Sequence, residues 1–155
     1  MHTSNQQISA IMVMMNYSLE LDCNERNFFK ILTDYENLSN YLPRKLKKIE
    51  ILDERDNHTT IEVMASLKTL IKKEFSQKIR IEKKSEDNIS AEILDGLAKG
   101  THITISILME KEKTLCHVNS DIKLSLKTVI LYPIIKREYN SLITGVFRKI
   151  SMDAE

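Results

Sequence analysis

The chain of 155 residues has no Trp, three Gly, two Pro and two Cys, and its charges nearly cancel, with 23 Lys plus Arg against 22 Asp plus Glu for a net +1. So little Gly and Pro beside 42% apolar residues excludes collagen-like, low-complexity and disordered chains. A net charge near zero gives no field able to hold a phosphate backbone, since counterion release supplies most non-specific nucleic-acid affinity, and nucleic acid is not an expected partner. The one basic cluster, Arg44, Lys45, Lys47 and Lys48, leads into an apolar alternation and is read as a solvated strand start. Cys23 and Cys116 stand far apart in the chain, with no Cys or His at a ligand spacing, and are read as buried free thiols rather than a disulfide framework or zinc site. The four histidines, His2, His58, His102 and His117, are scattered singly, and no metal is expected.

Long apolar runs are missing too. The run from Ala10 to Met15 falls short of the roughly 7 to 15 residues of a secretory core and the about 20 of a membrane span. The chain therefore reads as cytoplasmic, and the N-x-S/T triplets opening at Asn16, Asn37, Asn57 and Asn88 read as chance. A chain of this length buries roughly 70% of its unfolded surface, enough for one core. Residues 1–155 are read as one domain, with the polar stretch 1–7 as a disordered lead.

What is present is periodicity. Ile11, Val13, Met15, Tyr17, Leu19 and Leu21 alternate with residues that from Asn16 onward are polar, which predicts a half-buried strand. Asp22 precedes Glu25 by three, a capping-box spacing that predicts a helix from Cys23. Phe28, Ile31, Leu32 and Tyr35 form one helical stripe ending near Asp34, and a short helical piece over 36–41 must stop before Pro43. Four alternating stretches follow, 46–52, 59–67, 73–81 and 88–94, with turns at Asp56-Asn57 and Glu86-Asp87 that make neighbours antiparallel. Their inner rows are Ile49 and Ile51; Ile61, Val63, Ala65 and Leu67; Phe75, Ile79 and Ile81; and Ile89, Ala91 and Ile93. Gly100 opens a sixth strand with Ile103, Ile105, Ile107 and Met109 on one face. A seventh, 115–126, sets Cys116, Val118, Ile122 and Leu124 against His117, Asn119, Asp121 and Lys123, with the hydroxyl of Ser120 on the inner row. From 128 to 152 the period becomes 3.6, with Leu131, Ile135, Tyr139, Leu142, Val146 and Ile150 on one stripe and Pro133 early in the helix, where its missing N–H matters least.

One strand, two short helices, six antiparallel strands and a long C-terminal helix make an α+β domain whose sheet packs on one helix. The stretch from Ser18-Leu-Glu-Leu-Asp22 through Phe28-Phe29-x-Ile-Leu-Thr-Asp34-Tyr35-Glu36-Asn-Leu38-x-x-Tyr41-Leu42-Pro43 resembles the opening of the START-like, helix-grip superfamily, in its SRPBCC, polyketide cyclase/dehydrase and coenzyme Q-binding branches. There a D-[YF]-E-x-L-x-x-[WY]-x-P segment follows the first helix. Gly100-Thr101 and Leu131-Tyr-Pro133-Ile-Ile-Lys136 agree with the later parts of that pattern, while Asp22-Cys23 replaces the usual Ala-Pro. The resemblance implies a START/Bet v 1-like fold, a curved seven-stranded antiparallel sheet wrapped around the C-terminal helix.

Members vary in action, because the space between sheet and helix serves as a lipid, isoprenoid, hormone or polyketide cavity or simply as core. The expected function is non-catalytic binding of a hydrophobic small molecule (lipid, isoprenoid or quinone, or polyketide-like) by a carrier or sensor. The expected lining is Ile79, Ile103, Ile105, Val118, Ile122, Ile135 and Leu142, with Phe75 and Tyr41 and the polar Ser120, Glu138 and Tyr139. A cyclase/dehydrase-type enzyme is the alternative, and it needs an acid or base in the pocket. Glu138, at the edge of the stripe where a carboxylate is ordinarily solvated, is the best placed. Tyr139 reads either as a core aromatic with a satisfied hydroxyl or as a donor to a ligand. A filled-core module for a protein partner is the third reading. The seven Met are either gap-filling or an adaptable apolar surface. No nucleophile-elbow motif or phosphate-cradling Gly-rich loop is present; no catalytic residue, cofactor or metal is expected, and no stable membrane insertion.

Overall fold

The computed structural model describes residues 10–44, 46–67 and 73–155, with no side-chain description for 66–67 and 73–75. The polar lead 1–7, Lys45 of the basic cluster and the side chains of Leu67 and Phe75 lie outside the described residues.

The period-two runs become strands β1 (Ala10–Leu21), β2 (Leu46–Arg55), β3 (His58–Leu67), β4 (Lys73–Ser85), β5 (Asn88–Ile93), β6 (His102–Glu110) and β7 (Lys113–Ser125). They form one seven-stranded antiparallel sheet in the order β1-β7-β6-β5-β4-β3-β2, so the first strand closes against the last. Register carries one inward row across six strands: Met15, Ser120, Ile103, Ala91, Ile81 and Thr59. Register shifts at Leu46/Lys48 and Ile51/Asp53 of β2 and at Lys83/Ser85 of β4 add local bend and twist to the sheet. Helix α1 (Glu25–Leu32) and a 3-10 turn (Leu38–Tyr41) connect β1 to β2. A short helix α2 (Leu126–Val129) and a long one, α3 (Tyr132–Asp153), follow β7. Among the described residues no helix is long and apolar enough to cross a membrane.

Two apolar clusters join sheet and helices. The first packs Phe28, Phe29 and Leu32 of α1 with Ile107, Cys116 and Val118 of the sheet and Phe147 and Ile150 of α3. The Phe28 and Phe147 rings meet edge to face, with centroids 5.4 Å apart and planes at 86°. The Asn24 N–H donates to the Ala154 carbonyl at 2.9 Å, tying the C-terminal end of α3 to the start of α1. The second cluster is Met15, Ile122 and Leu124, with Ala98, Tyr132, Ile135 and Tyr139 against it.

Three local expectations are corrected. Helix α1 starts at Glu25, not Cys23, and its cap is Asn24, whose Oδ1 accepts the Asn27 N–H at 3.0 Å. Asp22 is instead exposed and within 3.6 Å of the Lys113 ammonium. The cap lies two residues later because β1 pairs as far as Leu21 opposite Thr114 and the buried Cys23 carbonyl accepts from the Thr114 hydroxyl at 2.8 Å, holding the chain extended. Asn24→Ala is expected to cost about 1 kcal/mol in urea unfolding, against less than about 0.5 for Asp22→Ala. The reverse order would return the cap to Asp22.

The C-terminal helix, expected as one piece, is broken at Ile130-Leu131. Pro133, in the first turn of α3, would set its ring against the carbonyl four residues back, at Val129, where α2 ends. Its buried face is also rotated: Phe147 and Ile150 are buried, whereas Leu142, the centre of the expected stripe, is half-buried. The spacings from Leu131 to Ile150 average about 3.8 residues per turn and so drift around a helix of 3.6.

Cys23 and Cys116, remote in sequence, share the first cluster as free buried thiols. Burial pushes Cys116 up to about 12 from its ordinary 9.0, with a further push from neighbouring Cys23. Burial likewise raises Cys23. A disulfide reagent at pH 8 is therefore expected to modify neither thiol until the protein unfolds. The unfolded chain loses these protons at a lower pH than the folded one, so the stabilisation is intact below about pH 9 and falls as pH rises toward 12, a slope that Cys116→Ala should flatten.

Candidate functional site

Where the concave face of the sheet meets α3, polar side chains separate the two clusters. β7 sends Val118 into the first and Ile122 into the second, and between them on the same face stands Ser120, 2% exposed. Its Oγ lies 2.8 Å from Tyr139 Oη of α3, and the hydroxyls share a hydrogen bond. Tyr17 of β1, cross-strand from Val118, shares another with Thr144 Oγ1 of α3. Burial holds the Tyr139 phenol above its ordinary value, with the Ser120 bond pulling the other way, so the group works as a neutral hydroxyl. Asn140 lies four residues before Thr144 on the same side of α3, and its Oδ1 is buried with no hydrogen-bond partner among the described residues. An unmet buried acceptor costs about 1 to 3 kcal/mol. The seam thus offers two neutral hydroxyl pairs and one free acceptor, a set that can orient an oxygen or N–H on an apolar molecule.

Register sets Ile103 opposite Ser120 and Ile105 opposite Val118. Ile103, Ile105, Ile79, Ile135 and Leu142 are half-buried, whereas Val118 and Ile122 are closed into the clusters and back the seam from behind. Glu138, expected at a solvated edge, is only 4% exposed. Gly145, seven residues on and near that side of the helix, lies so near Pro43 that an added Cβ would meet the ring at 3.1 Å. Tyr41 stands apart. It packs on the first cluster and its hydroxyl donates to Asp153 Oδ2 at 2.9 Å, about 20 Å along the helix axis from Tyr139. The side chain of Phe75 lies outside the described residues.

Tyr17, Thr144 and Asn140 were missing from the expected site. Tyr17 carried a signal, a hydroxyl on an otherwise apolar row like that of Ser120; Thr144 and Asn140, off the apolar stripe, carried none. A cleft of about 440 Å3 opens elsewhere, between α1 and the β4–β5 turn, lined by Glu25, Arg26, Ser85, Glu86, Asp87 and Ile107. With four charged side chains on its walls it suits an apolar molecule poorly.

Seven antiparallel strands wrapped on a long C-terminal helix, with two short helical pieces after the first strand, decide the architecture. The fold is the START-like helix-grip fold. A START superfamily protein from Mycobacterium smegmatis superposes over 91% of this chain and 96% of its own, with a TM-score of 0.71 and 14% identity. The Zhui aromatase/cyclase from Streptomyces sp. R1128 is similar over 88% and 92%, with a TM-score of 0.73 and 13% identity. Norcoclaurine synthase from Thalictrum flavum is similar over 94% and 88%, with a TM-score of 0.73 and 14% identity. No family model and no curated protein matches the sequence. In helix-grip terms α3 is the gripped helix, and the seam lies where sheet and helix face each other.

Proposed function

We propose that this protein binds a hydrophobic small molecule, a lipid, an isoprenoid or quinone, or a polyketide-like compound, between the sheet and α3, and carries or senses it in the cytoplasm without transforming it. The observation behind this reading is the seam, where Ser120 with Tyr139, Tyr17 with Thr144, and the unmet Asn140 Oδ1 interrupt an otherwise apolar interface. A filled core gains nothing from an unpaired buried acceptor, whereas a bound hydroxyl would satisfy it. The solved structures of similar fold include an aromatase/cyclase and a START protein, a range that supports an apolar guest.

Titration with farnesol and with its parent hydrocarbon farnesane tests the reading. Farnesol is expected to bind with micromolar or better affinity and more tightly than farnesane. Asn140→Leu is expected to erase that preference while the protein stays folded. Absence of binding by either compound to the folded protein would leave a filled core in its place. Native mass spectrometry of the purified protein reads the natural guest directly.

A cyclase/dehydrase-type reaction is the second reading, favoured by Glu138, a carboxyl buried on the gripped helix. A buried carboxyl can serve as a general acid or base. Turnover of a linear polyketide thioester mimic, abolished in Glu138→Gln, would establish it over the carrier.

A further inference from the structure

At the end of the sheet that holds the second cluster, the fold leaves apolar side chains outside. Ile130, in the break between α2 and α3, is 79% exposed; Leu97, in the β5–β6 loop, is 58% and Leu126, opening α2, is 49%. These positions share one rim. The Lys123 N–H of β7 donates to Thr101 Oγ1 of the β5–β6 loop at 3.0 Å, and the Lys123 stem lies so close to Gly100 that an added Cβ would meet it at 2.9 Å. Ala98 of the same loop packs with Tyr132 and Ile135 of α3 on the second cluster. The strand that starts here, β1, pairs Met12 with Lys123 and Ala10 with Ser125, which caps α2.

The charges on this rim are one-sided. Over the β5–β6 loop (94–101) and residues 121–137 the charged side chains that are not buried are Lys99, Lys123, Lys127, Lys136 and Arg137 against Asp95 and Asp121, while Glu138, next in the chain, is buried. That is a net +3 in a chain whose total is +1, so the remaining residues sum to −2.

We propose that this rim is a docking surface for an anionic lipid bilayer, with Ile130, Leu126 and Leu97 entering the headgroup region and the surrounding cations meeting the lipid phosphates. Exposed apolar side chains encircled by Lys and Arg are the pattern of an interfacial contact, in which apolar insertion and attraction to anionic lipid act together. The apolar groups come from a loop, a helix start and a helix break, all at strand ends, so they offer points of insertion rather than a face for another folded surface. A second copy would bring a second +3 rim against the first, and like charges oppose that pairing. The contact involves no spanning helix. It would place the neighbouring second cluster and the seam beside the membrane, where a hydrophobic guest partitions.

Sedimentation with vesicles of three parts phosphatidylcholine to one of phosphatidylserine, against pure phosphatidylcholine, tests this without any guest bound. The protein is expected to pellet with the anionic vesicles, weakly or not with the neutral ones, and to be released by raised salt. Ile130→Ser and Lys127→Glu, both at exposed positions, are each expected to weaken binding roughly tenfold with unchanged circular dichroism. Met152→Ser, exposed at the far end of α3, is expected to change nothing. No pelleting with anionic vesicles, or pelleting that both variants keep in full, would overturn the proposal. A concentration-dependent dimer lost in Ile130→Ser would reassign the rim to self-association. Because the readout needs no farnesol, failure here and failure of the guest-binding reading are separate results.

Discussion

Phe147→Ala is expected to remove about 3 to 5 kcal/mol of stability, the cost of truncating a fully packed aromatic. Phe147 is buried, its ring meets that of Phe28 edge to face, and it is the point at which α3 bears on α1 and the sheet together. Ile150 and Cys116 of the same cluster are fully buried, so the truncation opens a gap inside the closed core. A domain of this size has roughly 5 to 15 kcal/mol in all, so the variant should unfold early in urea or be partly unfolded without it. In a double-mutant cycle with Phe28→Ala the coupling is expected at about 0.5 to 1.5 kcal/mol, the part of the loss that belongs to the ring pair. Leu142→Ala, five residues earlier in the same helix but half-buried, should cost clearly less. Equal costs for Phe147 and Leu142 would mean that the grip is spread along the helix rather than concentrated at its C-terminal half.

Ile103→Trp is expected to abolish farnesol binding, a loss of at least roughly tenfold in affinity, while the protein remains folded. Ile103 sits half-buried in the inward row opposite Ser120, the residue whose hydroxyl meets that of Tyr139. An indole there takes the volume that a guest would use, and a half-buried site tolerates added bulk better than the closed positions Val118 and Ile122. Leu108→Trp is the control: it lies on the same strand at an exposed position, where an indole should leave binding unchanged. Undiminished binding by Ile103→Trp would move the guest away from the seam.

Much of this molecule was legible in the residues alone, wherever a short-range rule acts without competition. Period-two alternation located all seven strands because a one-residue slip would turn every apolar side chain outward. The Asp56-Asn57 and Glu86-Asp87 turns are short enough to dictate antiparallel neighbours, and the switch to a 3.6 period marked the final helix. The D-Y-E-x-L-x-x-Y-x-P segment resembled that of the helix-grip superfamily, and the strand order, with β1 beside β7, is that of a helix-grip sheet.

Only the tertiary structure decided the rest, and in each case a long-range contact outweighed a local signal. The cap moved from Asp22 to Asn24 because Thr114, remote in sequence, holds the Cys23 carbonyl. The buried face of α3 turned toward Phe147 because α1 delivers Phe28 there. Glu138 is buried on a side of α3 off its apolar stripe, and Thr144 reaches the sheet because Tyr17 of β1 meets it there, with Asn140 one turn before. Tyr41, expected in the lining, donates its hydroxyl to Asp153 at the far end of the helix, since the 3-10 turn that carries it packs against the first cluster. Periodicity reports which side of an element is apolar. Which polar groups are brought face to face across that side depends on partners remote in the chain, as with the separation of 127 between Tyr17 and Thr144 and of 19 between Ser120 and Tyr139, and no local pattern encodes them.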